Sequence, residues 1–220
     1  MRDVVAVIPA GGIGARVGRR TPKQFLRLGG RTILAATVRH FRGHPRIAAV
    51  IVAAPASHVE HARRLLGRGV TVVAGGATRQ ESVRLALEAA PAGAALVVVH
   101  DAVRPFITRR LVDAVVAAAA ADGAAIAALP IAETVKRVRE GLVEDTVERA
   151  GLWVVQTPQA FRAALLREAH DKARRDGVAG TDDAMLVERL GHRVRVVPGL
   201  ATNVKITTPE DLRRARGARR

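Results

Sequence analysis

Short, continuous apolar segments restrict how this chain folds more than any other feature. The first, Val4–Ile8, is rich in β-branched residues and ends at Pro9 and a run of glycines. Such a segment, bounded by turn residues, is typical of a strand that is buried on both faces of a sheet. Four later segments share this character: Ala48–Ala53, Val70–Val73, Leu96–Val99 and Ala124–Leu129.

Helical patterns separate these strands. They cover Ile33–Phe41, Ser57–Leu66, Thr78–Ala90 and Arg109–Ala121. Ser57, Thr78 and Thr108 are predicted N-caps, and Glu81 completes a capping box with Thr78. Buried strands that alternate with helices predict a Rossmann-like, three-layer α/β/α fold with a mostly parallel sheet. Ligands are expected beyond the carboxyl ends of the strands.

The alternation breaks after Pro130. Thr134–Val138 and Leu142–Val147 are charged, alternating segments on either side of Glu140-Gly141, which predicts a protruding β-hairpin. A two-stranded arm is marginally stable alone, so we expect it to pack on a second subunit. Three helices and a strand are predicted to follow: helices at Ala160–Arg175 and Thr181–Leu190, a strand at Arg193–Val197 and a helix from Pro209. With no repeat or linker, we expect one domain over residues 1–220 with a dimerisation arm at about 132–152.

The composition limits the classes of protein to which this chain can belong. With 49% hydrophobic and 25% charged residues the chain has the balance of a folded protein. It has no cysteine, which excludes disulfides and thiolate metal sites and fits a cytoplasmic protein. Its longest apolar stretch, Ala114–Ala121, is too short to cross a bilayer, so no membrane partner is expected.

The net charge of +16 attracts polyanions in general. The arginines, however, occur as scattered pairs, and the chain has only four Phe, one Trp and no Tyr. A nucleic-acid-binding domain needs a clustered basic face and stacking aromatics, so we expect no nucleic-acid partner. Most of this charge is predicted to be solvated surface.

A glycine-rich stretch follows the first strand directly and runs from Pro9 to Arg16. Glycines there let backbone N–H groups approach a phosphate. The spacing excludes a dinucleotide-binding loop, because Val17 stands where the third glycine belongs and the second strand ends without an acid. The P-loop spacing is also absent. An anion-binding loop remains, with Arg16 and Lys23 in the same connection.

Several further motifs follow in order along the chain. They are Pro22-Lys23-Gln24-Phe25, Gly75–Val83, Val99-His100-Asp101-Ala102-Val103-Arg104-Pro105, Thr134-Val135-Lys136, Val147–Trp153, Gln156-Thr157-Pro158-Gln159, Thr181–Ala184 and Asn203–Thr207. Together with the glycine loop they resemble the methylerythritol phosphate cytidylyltransferases, and the resemblance runs from Val5 to about Leu212. It implies the nucleotide-diphospho-sugar transferase type of fold.

The resemblance also implies a reaction: CTP and 2-C-methyl-D-erythritol 4-phosphate give 4-diphosphocytidyl-2-C-methyl-D-erythritol and pyrophosphate, with Mg²⁺ on the triphosphate. Arg16 and Lys23 match the catalytic pair, whose charge suits a crowded phosphoryl centre. Three groups of positions match the other roles: nucleotide contacts at Ala10, Gly11, Gly12, Gly76, Ser82 and Asp101; substrate contacts at Ala102, Arg104, Thr134, Arg149, Thr157 and Lys205; and a metal contact at Asp101. Thr134 and Arg149 are expected to reach into the active site of the partner subunit.

Other functions stay open at this point. A ribitol 5-phosphate cytidylyltransferase would share the nucleotide half and differ only in the acceptor pocket. A nucleotidyltransferase for another NTP, or one half of a fused enzyme, would carry the same loop. A basic nucleic-acid-binding domain is the alternative from a different class.

Overall fold

The computed structural model describes residues 3–11 and 21–217. Its centre is a seven-stranded sheet made of β1 (Val4–Pro9), β4 (Ile47–Ala54), β5 (Thr71–Ala74), β6 (Leu96–Val99), β7 (Ala124–Pro130), β10 (Trp153–Arg162) and β11 (Arg195–Pro198). Their order across the sheet is β5-β4-β1-β6-β10-β7-β11. Every neighbouring pair is parallel except those that β10 forms with β6 and β7. The predicted mostly parallel α/β sheet is confirmed.

Helices cover both faces of the sheet, as the buried strands require. They are α1 (Ile33–Val38), α2 (Val59–Leu66), α3 (Arg79–Glu88), α4 (Arg109–Asp122), α5 (Ala163–Arg175), α6 (Asp183–Glu188) and α7 (Pro209–Gly217). Successive residues of β1 point to opposite faces: Val4 and Ala6 pack with α1, α2 and α4, and Val5 packs with α3, α5 and α6. The three layers follow from this alternation. No helix within the described ranges is long and apolar enough to cross a membrane.

Strand β10 is the main error of the sequence-based prediction. The sequence pattern predicts a helix from Ala160, but residues 160–162 belong to this strand, and α5 begins only at Ala163. Proline is rare inside a strand because it cannot donate to the ladder. Here Pro158 falls where the register between β10 and β7 shifts, after Val155 and before Gln159. A short hairpin of β2 (Arg27–Leu28) and β3 (Arg31–Thr32) was also missed.

Two of the three predicted helix caps are confirmed. The hydroxyl oxygens of Thr78 and Thr108 accept hydrogen bonds from the third residues of their helices, Glu81 and Leu111. Ser57 is not a cap. It lies in a 3₁₀ turn (Ala56–His58), and His58 occupies the N-cap position of α2 without a side-chain hydrogen bond.

The predicted arm is a separate two-stranded sheet of β8 (Val135–Arg139) and β9 (Leu142–Val147). Its tip, Glu140 and Gly141, has positive φ at both residues, as a tight hairpin turn requires. Its base is fixed where Pro130 of β7 pairs with Trp153 of β10. Exposed apolar side chains occur along the arm and the start of β10: Val138, Leu142, Val143, Leu152, Trp153, Val154 and Val155.

Candidate active site

The nucleotide half of the predicted site lies where β1, β4 and β5 end. The Ala10 N–H donates to the Ala53 carbonyl, and the Gly75 N–H donates to the Ala54 carbonyl. A Cβ added to Gly11 would stand 2.6 Å from Ser82 Oγ and 3.6 Å from the Gly76 carbonyl oxygen. The structure therefore brings Ala10, Gly11, Gly76 and Ser82 together, and it explains why residue 11 has no side chain.

Ser82 is fully buried, so it is not a hydroxyl on the helix surface. Its Oγ donates to the Thr78 carbonyl and accepts from the Gly76 N–H at 3.2 Å. Glu81 differs from a standard capping box, because its carboxylate accepts from the Ala77 N–H at 2.8 Å. The start of α3 thus holds the Gly75–Thr78 segment in place through two side chains, Glu81 and Ser82.

Lys23 begins the 3₁₀ turn Lys23–Phe25 and is half-buried. The next residue, Gln24, is 2% exposed and donates from Nε2 to the Ala10 carbonyl at 2.6 Å. Gln24 therefore ties the lysine turn to the end of β1. The predicted catalytic Arg16 and nucleotide contact Gly12 lie outside the described residues.

Asp101 is the centre of a charged cluster just beyond β6. Its Oδ1 accepts from Arg79 Nε at 3.1 Å, and its Oδ2 lies 2.8 Å from Lys205 Nζ and 3.6 Å from Arg104 Nε. Arg79 also binds Asp183 through Nη1 at 2.7 Å. Three cations against two carboxylates leave one positive charge in excess. Such a cluster favours an anionic ligand.

The cluster keeps its carboxylates ionised. Burial by itself raises the pKa of Asp101, but Arg79, Lys205 and Arg104 outweigh it and hold that pKa well below its usual value. The same balance lowers the pKa of Asp183, where Arg79 and His170 oppose the effect of burial. Burial also opposes the charged form of Arg79, yet Asp183 and Asp101 raise its pKa above the ordinary value.

His100 braces the same loop in a neutral form. Burial lowers its pKa to about 4. The Thr157 hydroxyl oxygen accepts from the Asp101 N–H, so its own proton is directed to His100 Nδ1 at 3.0 Å. The remaining nitrogen, Nε2, must then donate to the Arg104 carbonyl at 3.0 Å, because a carbonyl only accepts. This ring thereby fixes both Thr157 and the backbone of Arg104.

A second brace places Lys205. Asn203 is fully buried and donates from Nδ2 to Gln156 Oε1 at 3.1 Å and to the Thr157 carbonyl at 2.7 Å. Its own backbone carbonyl accepts from Arg104 Nη1 at 2.6 Å. The segment that carries Lys205 is therefore held against β10 and against the Asp101 loop.

Several predicted substrate residues are thus brought together at the carboxyl edge. Arg104 and Lys205 have charged groups that flank Asp101, and Thr157 supports it from β10. The methyl group of Ala102 is buried in the core, and its carbonyl accepts from the Thr37 hydroxyl.

Thr134 and Arg149 lie apart from this cluster. They stand just outside the strands of the arm, before β8 and after β9, and line one groove together with Glu148. The Arg149 guanidinium donates to the Ala132 carbonyl. Among the described residues, the cations paired with Asp101 are Arg79, Arg104 and Lys205, and Arg149 is not one of them.

Sequence reasoning missed three members of the charged network: Arg79, Asp183 and His170. In the sequence, Arg79 and Asp183 stand out only as members of the Gly75–Val83 and Thr181–Ala184 motifs. For Arg79 the sequence did offer a signal: this residue directly follows the cap of a helix whose preceding loop is glycine-rich, and such helix starts often bind anions. His170 gives no such signal: it lies inside α5, and only the tertiary fold places its Nε2 3.0 Å from Asp183 Oδ1.

The described residues fit a magnesium ion carried by a nucleotide better than one held by the protein. They contain no group of three His, Cys, Asp or Glu side chains that could enclose a metal. Mg²⁺ commonly binds through one or two carboxylates, substrate phosphates and water. Asp101 is the carboxylate at the site, and cations contact both of its oxygens. The rings of His58 and His61 both pack on Phe25, at centroid distances of 5.2 and 5.0 Å.

A mostly parallel sheet with a glycine loop and a cation cluster at its carboxyl edge defines a nucleotidyltransferase-like α/β protein. The family model described as IspD, 2-C-methyl-D-erythritol 4-phosphate cytidylyltransferase, matches residues 4–218. This chain belongs to that family.

Proteins that carry the name of this family are similar in sequence to this chain over nearly its whole length. The protein of Syntrophus aciditrophicus is 43% identical over 216 residues, which cover 95% of this chain and 92% of that protein. The protein of Geobacter metallireducens is 43% identical over 218 residues, with 95% and 94% covered. The crystal structure of the enzyme from Thermus thermophilus superposes with a TM-score of 0.85 at 44% identity and covers 97% of both chains.

Proposed function

We propose that this protein transfers the cytidylyl group of CTP to 2-C-methyl-D-erythritol 4-phosphate in isoprenoid synthesis, giving 4-diphosphocytidyl-2-C-methyl-D-erythritol and pyrophosphate. Membership of the cytidylyltransferase family supports the reaction. The observation that carries the proposal at the level of residues is the Asp101 cluster, which presents Arg104 and Lys205 just beyond the end of β6.

For this reaction the protein must hold two anions, CTP and the acceptor phosphate, next to each other. An oxygen of the acceptor phosphate attacks the α-phosphorus of CTP, a new P–O bond forms, and the bond to the β-phosphate oxygen breaks to release pyrophosphate. Positioning and positive charge supply most of the catalysis in such a transfer. In the proposal, Arg104 and Lys205 hold the acceptor phosphate, while Lys23 and Arg16 neutralise charge that builds up on the triphosphate.

Mg²⁺ is part of the proposal. Bound to the triphosphate, it would neutralise charge on the phosphate oxygens. Asp101 would be the protein contact to this ion, and the triphosphate would supply most of its oxygen ligands. The nucleoside would be held by Ala10, Gly11, Gly12, Gly76 and Ser82, largely through backbone groups.

A homodimer completes the proposed site. The exposed apolar side chains of the arm and of β10 provide a surface for a second subunit. Thr134 and Arg149 would then contact the acceptor bound to the partner. We place the enzyme in the cytoplasm, which fits a chain without cysteine.

The test is a pyrophosphate-release assay of each NTP with 2-C-methyl-D-erythritol 4-phosphate and with ribitol 5-phosphate, with and without Mg²⁺. We expect turnover with CTP, the methylerythritol acceptor and Mg²⁺ alone among the combinations. Equal turnover with ribitol 5-phosphate, or absence of turnover with CTP, would overturn the proposal.

A further inference from the structure

Arg79 connects the Gly75–Thr78 segment of the nucleotide half with Arg104 and Lys205, the cations proposed to bind the acceptor phosphate. It is the first residue of α3 and directly follows the Gly75–Thr78 segment. Its guanidinium contacts two carboxylates from different parts of the chain, Asp101 after β6 and Asp183 at the start of α6. The side chain is 28% exposed, against 8% for Asp101 and 1% for Asp183.

The two contacts use different nitrogens, so each has a fixed geometry. Nε reaches Asp101 Oδ1 at 3.1 Å, and Nη1 reaches Asp183 Oδ2 at 2.7 Å. The other oxygen of Asp183 binds Nε2 of the buried His170 at 3.0 Å, which prevents Asp183 from turning away. A planar guanidinium can hold two carboxylates in this manner, whereas a lysine ammonium acts as a single point charge.

The contact with Asp101 has a consequence for the other cations. With Oδ1 bound by Arg79, Asp101 meets Lys205 and Arg104 through Oδ2 alone. If Arg79 were removed, both carboxylate oxygens would be open to Lys205 and Arg104, and these cations would be drawn more tightly onto Asp101. Fewer of their N–H donors would then face an incoming phosphate.

We propose that Arg79 is a positioning residue: by holding Asp101 against Asp183, it keeps Lys205 and Arg104 oriented toward the acceptor phosphate. This inference rests on the proposed function, because it assigns a role within that reaction. It predicts a defect in the use of the acceptor and little change in the binding of CTP.

The test compares Arg79→Ala and Arg79→Lys with Arg84→Ala. Arg84 is a matched control on the same helix, where it pairs with the exposed Glu88. For Arg79→Ala we expect the kcat/KM of the acceptor to fall on the order of 100-fold, the scale of a misplaced reacting group, with the KM for CTP nearly unchanged. Arg79→Lys should keep more of the kcat/KM of the acceptor than Arg79→Ala does, but less than the wild type. Arg84→Ala should behave like the wild type.

Thermal unfolding of each variant tests whether Arg79 acts only through the stability of the fold. Asp183→Asn weakens the Arg79–Asp183 contact from its other side. This variant should show a weaker acceptor defect of the same kind, because Asp183 no longer anchors Arg79 by charge. The proposal is overturned if Arg79→Ala keeps the wild-type kcat/KM for the acceptor. It is also overturned if the variant mainly raises the KM for CTP, since that would mean direct contact with the nucleotide, or if activity falls only in step with the folded fraction. An inactive wild type would instead contradict the proposed function.

Discussion

At the scale of single residues, charge placement decides most of what this site can do. Lys23 is one of four lysines in the chain, and its turn is fixed to the nucleotide loop by Gln24. Its position was predictable from sequence because the glycine loop and the lysine follow one strand without a break. The Arg79–Asp183 contact was not predictable, because its partners are 104 residues apart and meet only in the folded chain.

Replacing the proposed catalytic cations should slow the chemical step. We expect Lys23→Ala and Arg16→Ala each to lower kcat by about 100- to 1,000-fold, the usual effect of removing a donor to transition-state charge. Lys172→Ala is the matched control, because Lys172 is 43% exposed and pairs with Asp176 just beyond the end of α5. Steady-state assays and circular dichroism check this prediction, and near-normal kcat in either variant would remove that residue from the mechanism.

Asp101 should also contribute to stability with a defined pH dependence. Asp101→Asn leaves Lys205 and Arg104 without their carboxylate and Arg79 with Asp183 alone. We therefore expect a loss of about 2–3 kcal/mol, the lower range for a buried pair, because Lys205 is 40% exposed. The pKa of Asp101 is lowered by folding, so the stabilisation is complete above the pKa of an unfolded aspartate, about 4, and is lost below it.

Urea unfolding of both proteins between pH 8 and pH 3 measures this contribution. The difference in unfolding free energy should stay constant down to about pH 5 and shrink at lower pH. A difference that already shrinks between pH 8 and pH 6 would contradict the assignment to this carboxyl group.

At the scale of elements, the alternation of buried strands and helices was enough to predict the central layers. β10 was missed for a physical reason: four of its ten residues are exposed, and Pro158 interrupts its ladder, so its sequence lacks the continuous apolar pattern of the parallel strands. The arm was predicted because its charged, alternating strands have no place in a core. Whether it serves a second subunit depends on contacts that no pattern within one chain specifies.

The arm allows a test by complementation. Lys23→Ala damages the nucleotide half, and Arg149→Ala damages the arm. If the arm acts across a two-fold axis, a mixed dimer has one site with both lesions and one site with neither, so activity returns on mixing. Fluorescence energy transfer between labelled subunits verifies the exchange.

A second mixture provides the control for complementation. Lys23→Ala and Asp101→Asn both affect the chain's own half of the site, so each site of their mixed dimer keeps one lesion and should remain inactive. Failure of the first mixture to recover activity, despite verified exchange, would contradict the shared site.

At the scale of the whole molecule, the arm is joined to the sheet at one place, between β7 and β10. The Ile131 N–H donates to the Leu152 carbonyl at that point, so the chain enters and leaves the arm side by side. Replacing residues 132–151 with Asn-Gly should join Ile131 to Leu152 through a tight hairpin turn. We expect a folded, monomeric and inactive protein, measured by circular dichroism, analytical ultracentrifugation and pyrophosphate release. A dimer of the shortened chain would show that other surfaces associate.

The buried His100 has a use beyond its structural role. Its two ring nitrogens differ, because Nδ1 accepts from Thr157 and Nε2 donates to Arg104, and a pKa of about 4 keeps the ring neutral at physiological pH. A proton held in this way, away from solvent, should exchange slowly enough to give its own resonance in a nuclear magnetic resonance spectrum. Because the ring touches the loops that carry Asp101 and Arg104, that resonance should shift when an acceptor phosphate arrives. The fold thus contains an intrinsic spectroscopic reporter of ligand binding, and no label has to be introduced.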